Sequence, residues 1–102
     1  MALIKTIEQD SGIVLKYHRI VSIHKITNNC TILEIASYTS KEKRLQEIRQ
    51  LENKEMITVY IEGSFINVDY DEASTIKDWY EYLKTTDKYS GAEDDDAAAE
   101  EL

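Results

Sequence analysis

The chain has 102 residues and a mass of 11.8 kDa, with 42% hydrophobic residues, 31% charged residues and a formal net charge of −8. That length suits one domain, and the count of 0 prolines and 3 glycines excludes collagen-like and Pro/Gly-rich disordered chains. A single cysteine closes no internal disulfide, no apolar run approaches the roughly 18 residues of a membrane helix, and the N-terminus carries no signal-peptide pattern.

In chain order, the alternation led by Leu3, Ile4 and Ile7 predicts a strand over 2–8. Asp10-Ser11-Gly12 is a turn signal, with the glycine free to take positive φ. A second strand is predicted over 13–27, with apolar Ile13, Leu15, Tyr17, Val21 and Ile23 alternating with Lys16, His18, Ser22 and His24. Arg19 and Ile20 break that alternation and predict a bulge or twist near them. Asn28-Asn29 suits a hairpin loop, and a third strand returns over 30–38.

Thr39 and Glu42 fit a capping box, followed by Leu45, Ile48 and Leu51 on a narrow stripe, so a surface helix is expected over 40–54. Strand character resumes over 56–70, with parity shifting from Ile57, Val59 and Ile61 to Ile66, Val68 and Tyr70. Either Gly63-Ser64 closes a hairpin or Gly63 marks a bulge in one long strand; the hairpin is the favoured reading. Ala73, Ile76, Trp79 or Tyr80, and Leu83 then predict a helix over 71–86. The expected class is α+β: an antiparallel sheet of four to five strands, ordered β-β-β-α-β(β)-α, with both helices packed on one face.

Charge separates a body from a tail. Six of the 20 acids (Glu93, Asp94, Asp95, Asp96, Glu100 and Glu101) fall in 91–102 without a base, which leaves 14 acids against 12 bases elsewhere. We therefore expect one domain over 1–90 and an acidic, disordered tail over 91–102, because Ala97 to Ala99 bury too little surface to offset ordering entropy. The tail reads as a solubility segment or as a segment that docks on a partner's basic surface. Bases and acids interleave in the body, which gives no footprint for nucleic acid.

Chemistry-bearing patterns are sparse. Six residues apart on one strand, His18 and His24 would stand about 20 Å from one another on one face, too far to share a metal, and each is expected to be exposed. Asn67, Asp69, Asp71 and Asp78 match positions one, three, five and twelve of an EF-hand loop. Glu72 stands where that loop needs glycine, and a strand precedes it where a helix should, so the acids read better as caps of the following helix. Cys30 has no base beside it and reads as a small buried hydrophobe. Neither a nucleophile elbow nor a P-loop is present, so no catalytic, cofactor-binding or metal residue is expected. Trp79-Tyr80-Glu81-Tyr82 puts rings around most of one helical turn, so one or two should be exposed. Trp79, Tyr80 and Tyr82, with one edge strand, are the candidate protein interface; half-buried tyrosines with hydrated hydroxyls are the alternative.

Several stretches carry a resemblance: Met1-Ala2-Leu3-Ile4-Lys5-Thr6, Tyr17-His18-Arg19-Ile20-Val21-Ser22-Ile23, Tyr38-Thr39-Ser40-Lys41-Glu42-Lys43-Arg44, and Trp79-Tyr80-Glu81-Tyr82-Leu83-Lys84-Thr85-Thr86 continuing to Tyr89 and Gly91-Ala92-Glu93-Asp94. Together they resemble small proteins from the structural-gene region of phages and prophages of Gram-positive bacteria. The resemblance implies a non-enzymatic virion component or assembly factor of the tail or baseplate. Its partners would be other phage structural proteins or further copies of itself, as a homo-oligomer, with no nucleic acid and no membrane. It would reside in the virion, or in the host cytoplasm during assembly. The alternative is an acidic phage protein that inhibits a host enzyme, for which the tail is the only support. The longer Asp/Ala/Glu ending departs from the short acidic ending of such proteins.

Overall fold

The computed structural model describes residues 2–95; Met1 and 96–102, the latter half of the acidic segment, lie outside the described residues. The elements are β1 (Ala2–Glu8), β2 (Val14–Ile26), β3 (Cys30–Tyr38), α1 (Lys41–Glu52), β4 (Ile61–Asp69), α2 (Ile76–Leu83) and β5 (Glu93–Asp95). They form an α+β fold with one five-stranded antiparallel sheet, ordered β4-β3-β2-β1-β5, and two helices.

The local signals explain the meander. Gly12 turns the chain between β1 and β2 at φ 89°, a conformation that side chains resist. Asn28 takes φ 56° between β2 and β3, where asparagine is tolerated. The break at Arg19 and Ile20 is a β-bulge: Ile20 faces Ile35, but Ser22 faces Glu34, so Val21 is the extra residue.

The bulge decides which side chains meet. Ile20 and Ile23 both point to the face shared with Leu33 and Ile35. On that face α2 adds Trp79, Tyr80 and Leu83, and Leu3, Val68 and Tyr89 complete the larger core. The opposite face carries Tyr17, Ala36 and Tyr38, with Ile61 against them. There α1 docks, and the Tyr38 hydroxyl donates to Glu47 Oε1 at 2.7 Å. The helices thus take opposite faces of the sheet, where one shared face was expected. The reason lies in what α1 buries: Arg44 and Gln50 as well as Ile48, contacts that an apolar stripe does not announce. Arg44 pairs with Glu47, while the Gln50 amide donates to Thr58 Oγ1 at 2.8 Å and accepts from the Thr58 backbone at 3.1 Å.

Other boundaries also move. Ser40, not Thr39, caps α1, its side chain accepting from Lys43 N. Gly63 closes no hairpin: β4 runs unbroken from Ile61 to Asp69, and Gly63 lies opposite Ala36. The stretch from Met56 to Tyr60 is no strand, because Gln50 already holds the Thr58 backbone. The second helix starts only at Ile76, since the Asp71 carboxylate accepts from Ala73 N and turns the chain before Thr75 caps α2. Thr75 and Asp78 form a reciprocal capping box there.

The segment read as the start of an acidic tail is structured through Asp95. Glu93–Asp95 pair with Ala2, Leu3 and Ile4. Asp94 meets Lys84 at 2.8 Å on the α2 side, and Asp95 meets Lys41 at 2.7 Å on the α1 side. Alternating strand geometry places one carboxylate over each helix end.

Candidate protein-binding site

The sheet has two edges, and they differ. On one side β5 covers only the first residues of β1, which then shifts register between Ile4 and Ile7 and carries Lys5. Bulges and lysines are the devices by which edges resist further pairing. On the other side β4 keeps continuous register with β3 over all nine residues and has no lysine, arginine or proline. Among the described residues, no strand pairs with its outer side.

Phe65 stands in the middle of β4 and is 70% exposed. It opposes Glu34, on the α1 face of the sheet but beyond the part that α1 covers. Sequence reading passed over it, although the signal was present: Ile66 and Val68 mark the buried parity, so Phe65 must point the other way.

At the C-terminal end of β4 the edge opens into a cleft of about 350 Å³, lined by Asn67, Val68, Asp69, Asp71, Trp79 and Tyr82. Trp79 and Tyr82 stand edge-to-face, with ring centroids 5.7 Å apart. The three aromatic candidates therefore separate. Tyr80 is 2% exposed, and its hydroxyl accepts the Ile20 N–H at 2.8 Å beside the bulge. Trp79 is 7% exposed, and its buried indole N–H meets no acceptor among the described residues. Tyr82, 42% exposed, is the member of the trio that a partner can reach.

The other singled-out residues are engaged in the fold. Asp78 belongs to the α2 capping box and Asp71 to the preceding turn, whereas Asn67 and Asp69 lie on β4. They build no calcium loop; no three His, Cys, Asp or Glu side chains among the described residues gather as a metal cage. His18 is buried, not exposed as expected, because β2 is a central strand covered on both faces. Its Nε2 donates to the Lys5 carbonyl at 2.8 Å, since a carbonyl only accepts, which leaves Nδ1 to accept from Ser37 Oγ at 2.8 Å. Burial holds the His18 pKa below 6.5; the Lys5 carbonyl opposes that shift, and the Lys88 and Lys5 charges add to it. His24 lies on the opposite face because the bulge separates the two histidines, and it is exposed. Cys30 is a free, half-buried thiol.

A second, shallower cleft lies between β2 and α1, lined by Arg19, Val21, Arg44, Glu47, Leu51 and Glu52. Two of its polar groups are paired, since Glu47 accepts from Arg44, and it accepts from Tyr38 as well. Burial and the Glu47 bond push the Tyr38 hydroxyl up to about 12, so Tyr38 stays protonated as a donor.

Compared with known proteins, the chain matches no family model, no curated protein and no solved structure.

Proposed function

We propose that this protein works by protein–protein contact, as a structural or assembly component of a phage or prophage particle, associated with the tail or baseplate. The observation that supports contact is the open β4 edge with Phe65 at its middle and the Trp79–Tyr82 cleft at its end. Exposed apolar surface joined to an unprotected strand edge is the form of a surface awaiting a partner. The phage setting is supported by the resemblance in the opening, β2, α1 and α2 stretches. No catalytic role enters the proposal: His18 is locked by two hydrogen bonds, and Asp78 is spent on a helix cap. The reading as an acidic inhibitor has lost part of its support, since Asp94 and Asp95 are held in ion pairs within the sheet.

Deleting the gene from the phage or prophage tests the proposal. Particles with incomplete or non-infectious tails, restored by the gene in trans, are the expected result. A normal yield of infectious particles without it would refute an assembly role.

A further inference from the structure

We infer that the β4 edge is a self-association surface: it pairs antiparallel with the same edge of a second copy, about a two-fold axis at Ser64, so that each Phe65 lies across from the other copy's Gly63. The inference rests on the proposed contact role and names the surface and its partner.

Among the described residues no strand covers the outer side of β4, and the pattern along β4 says which strand fits it. A two-fold axis normal to the sheet continues an antiparallel sheet into its own copy and makes the two contributed edges identical. The same face stays uppermost in both copies, so only residues of equal parity can stand opposite one another. On the α1 face, the open part of β4 carries Phe65, 70% exposed, and two residues earlier Gly63. A Cβ built at Gly63 meets no atom within 4 Å among the described residues. Glycine inside a strand marks a place of close approach, and an aromatic ring directly across from it restores the missing cover. Phe65 and Gly63 flank Ser64. An axis at Ser64 therefore sets each ring over the other copy's glycine. The pairing runs over 61–67 in both copies, within the unbulged register of β4. A foreign strand would need a ring and a gap in the same order; β4 carries both itself.

That register also suits the charges. Glu62 stands opposite Ile66 of the second copy, its carboxylate accepting from the Tyr60 hydroxyl, and Asp69 falls outside the paired run. An axis at Phe65 would instead leave Gly63 facing Asn67 and bring Asp69 against Ile61. Glu93, Asp94 and Asp95 occupy β5, at the far edge of the sheet. Joining β4 to β4 puts the two β5 strands nine strand spacings apart, about 43 Å at about 4.8 Å each, against a screening length of about 8 Å in physiological salt. Residues 1–90 are close to balance, with 14 acids against 12 bases. Joining the copies at the other edge would bring the β5 acids together.

A seven-residue edge with two rings falls below the standard interface size, so the dimer should be weak and reversible, with a dissociation constant on the order of 10⁻⁴ M. Sedimentation equilibrium of the full chain, from about 10 µM to about 1 mM, measures it. Phe65→Ser should weaken the dimer about tenfold or more, whereas Phe65→Tyr keeps the ring and should stay within about threefold. Val21→Ser removes an exposed side chain on the same face but away from the edge, and should leave the dimer unchanged. Circular dichroism checks that these surface variants keep the fold. In NMR of mixed labelled and unlabelled chains, contacts between the Phe65 ring and Gly63 should cross from one copy to the other. A chain that stays monomeric to about 1 mM, a dimer that survives Phe65→Ser, or cross-copy contacts in any other register overturns the inference. The gene deletion tests the assembly role separately: a monomeric chain that particles still require would sink this inference alone.

Discussion

Tyr80→Phe removes one oxygen atom, and the structure states what that atom does. Beside the β2 bulge, the Tyr80 hydroxyl accepts the Ile20 N–H at 2.8 Å in the larger core. Without the hydroxyl, a buried donor loses its acceptor while the ring keeps its packing. An unsatisfied buried N–H costs about 1–3 kcal/mol, and each kcal/mol lowers the melting temperature of a domain this size by about 4–8 °C. Tyr82→Phe, two residues on, removes a hydroxyl from a half-exposed ring and should stay within about 0.5 kcal/mol of the parent. Thermal and urea unfolding followed by Trp79 fluorescence measures both. If Tyr80→Phe matches the parent, or Tyr82→Phe is the more damaging change, then α2 does not clamp the bulge as described.

His18 should make stability depend on pH. Its folded pKa lies below the unfolded value of 6.5, so the unfolded chain takes up the proton first and stability falls as pH drops below about 6.5. The slope from this one group reaches at most about 1.4 kcal/mol per pH unit. It should shrink in His18→Asn and persist in His24→Gln when unfolding is measured between pH 7 and pH 5; equal slopes in all three proteins would contradict the buried neutral ring. The glycines should respond in opposite senses. Gly63→Ala meets open space without positive φ and should stabilise by about 0.4–1 kcal/mol. Gly12→Ala, at φ 89°, should destabilise by about 1–2 kcal/mol, and calorimetry giving both changes the same sign would refute that contrast.

What the sequence displayed and what it hid follow a physical line. Alternation and turn residues are local, so the three-strand meander, the bulge at Arg19-Ile20 and the conformation of Gly12 could be read from neighbours along the chain. The side of the sheet taken by α1 could not, because that helix docks through Arg44, Glu47 and Gln50, whose partners Tyr38 and Thr58 lie elsewhere. Likewise β5 has no strand propensity in Glu-Asp-Asp; its pairing is supported by Lys84 and Lys41, distant in sequence. Two of the three aromatics named for the interface proved to be mostly interior, since a helix on a sheet buries a wider arc than one turn suggests. The edge that replaces them was half visible, with Phe65 on the wrong parity for the core. Its freedom is a property of strand order, which no local pattern encodes.

The most direct test of the account is mass spectrometry of purified phage or prophage particles, quantified against the major tail proteins. A structural role predicts this chain at a fixed, reproducible stoichiometry that survives repeated gradient purification. Its absence from particles, with abundance in the infected or induced cells, would contradict a place in the tail or baseplate.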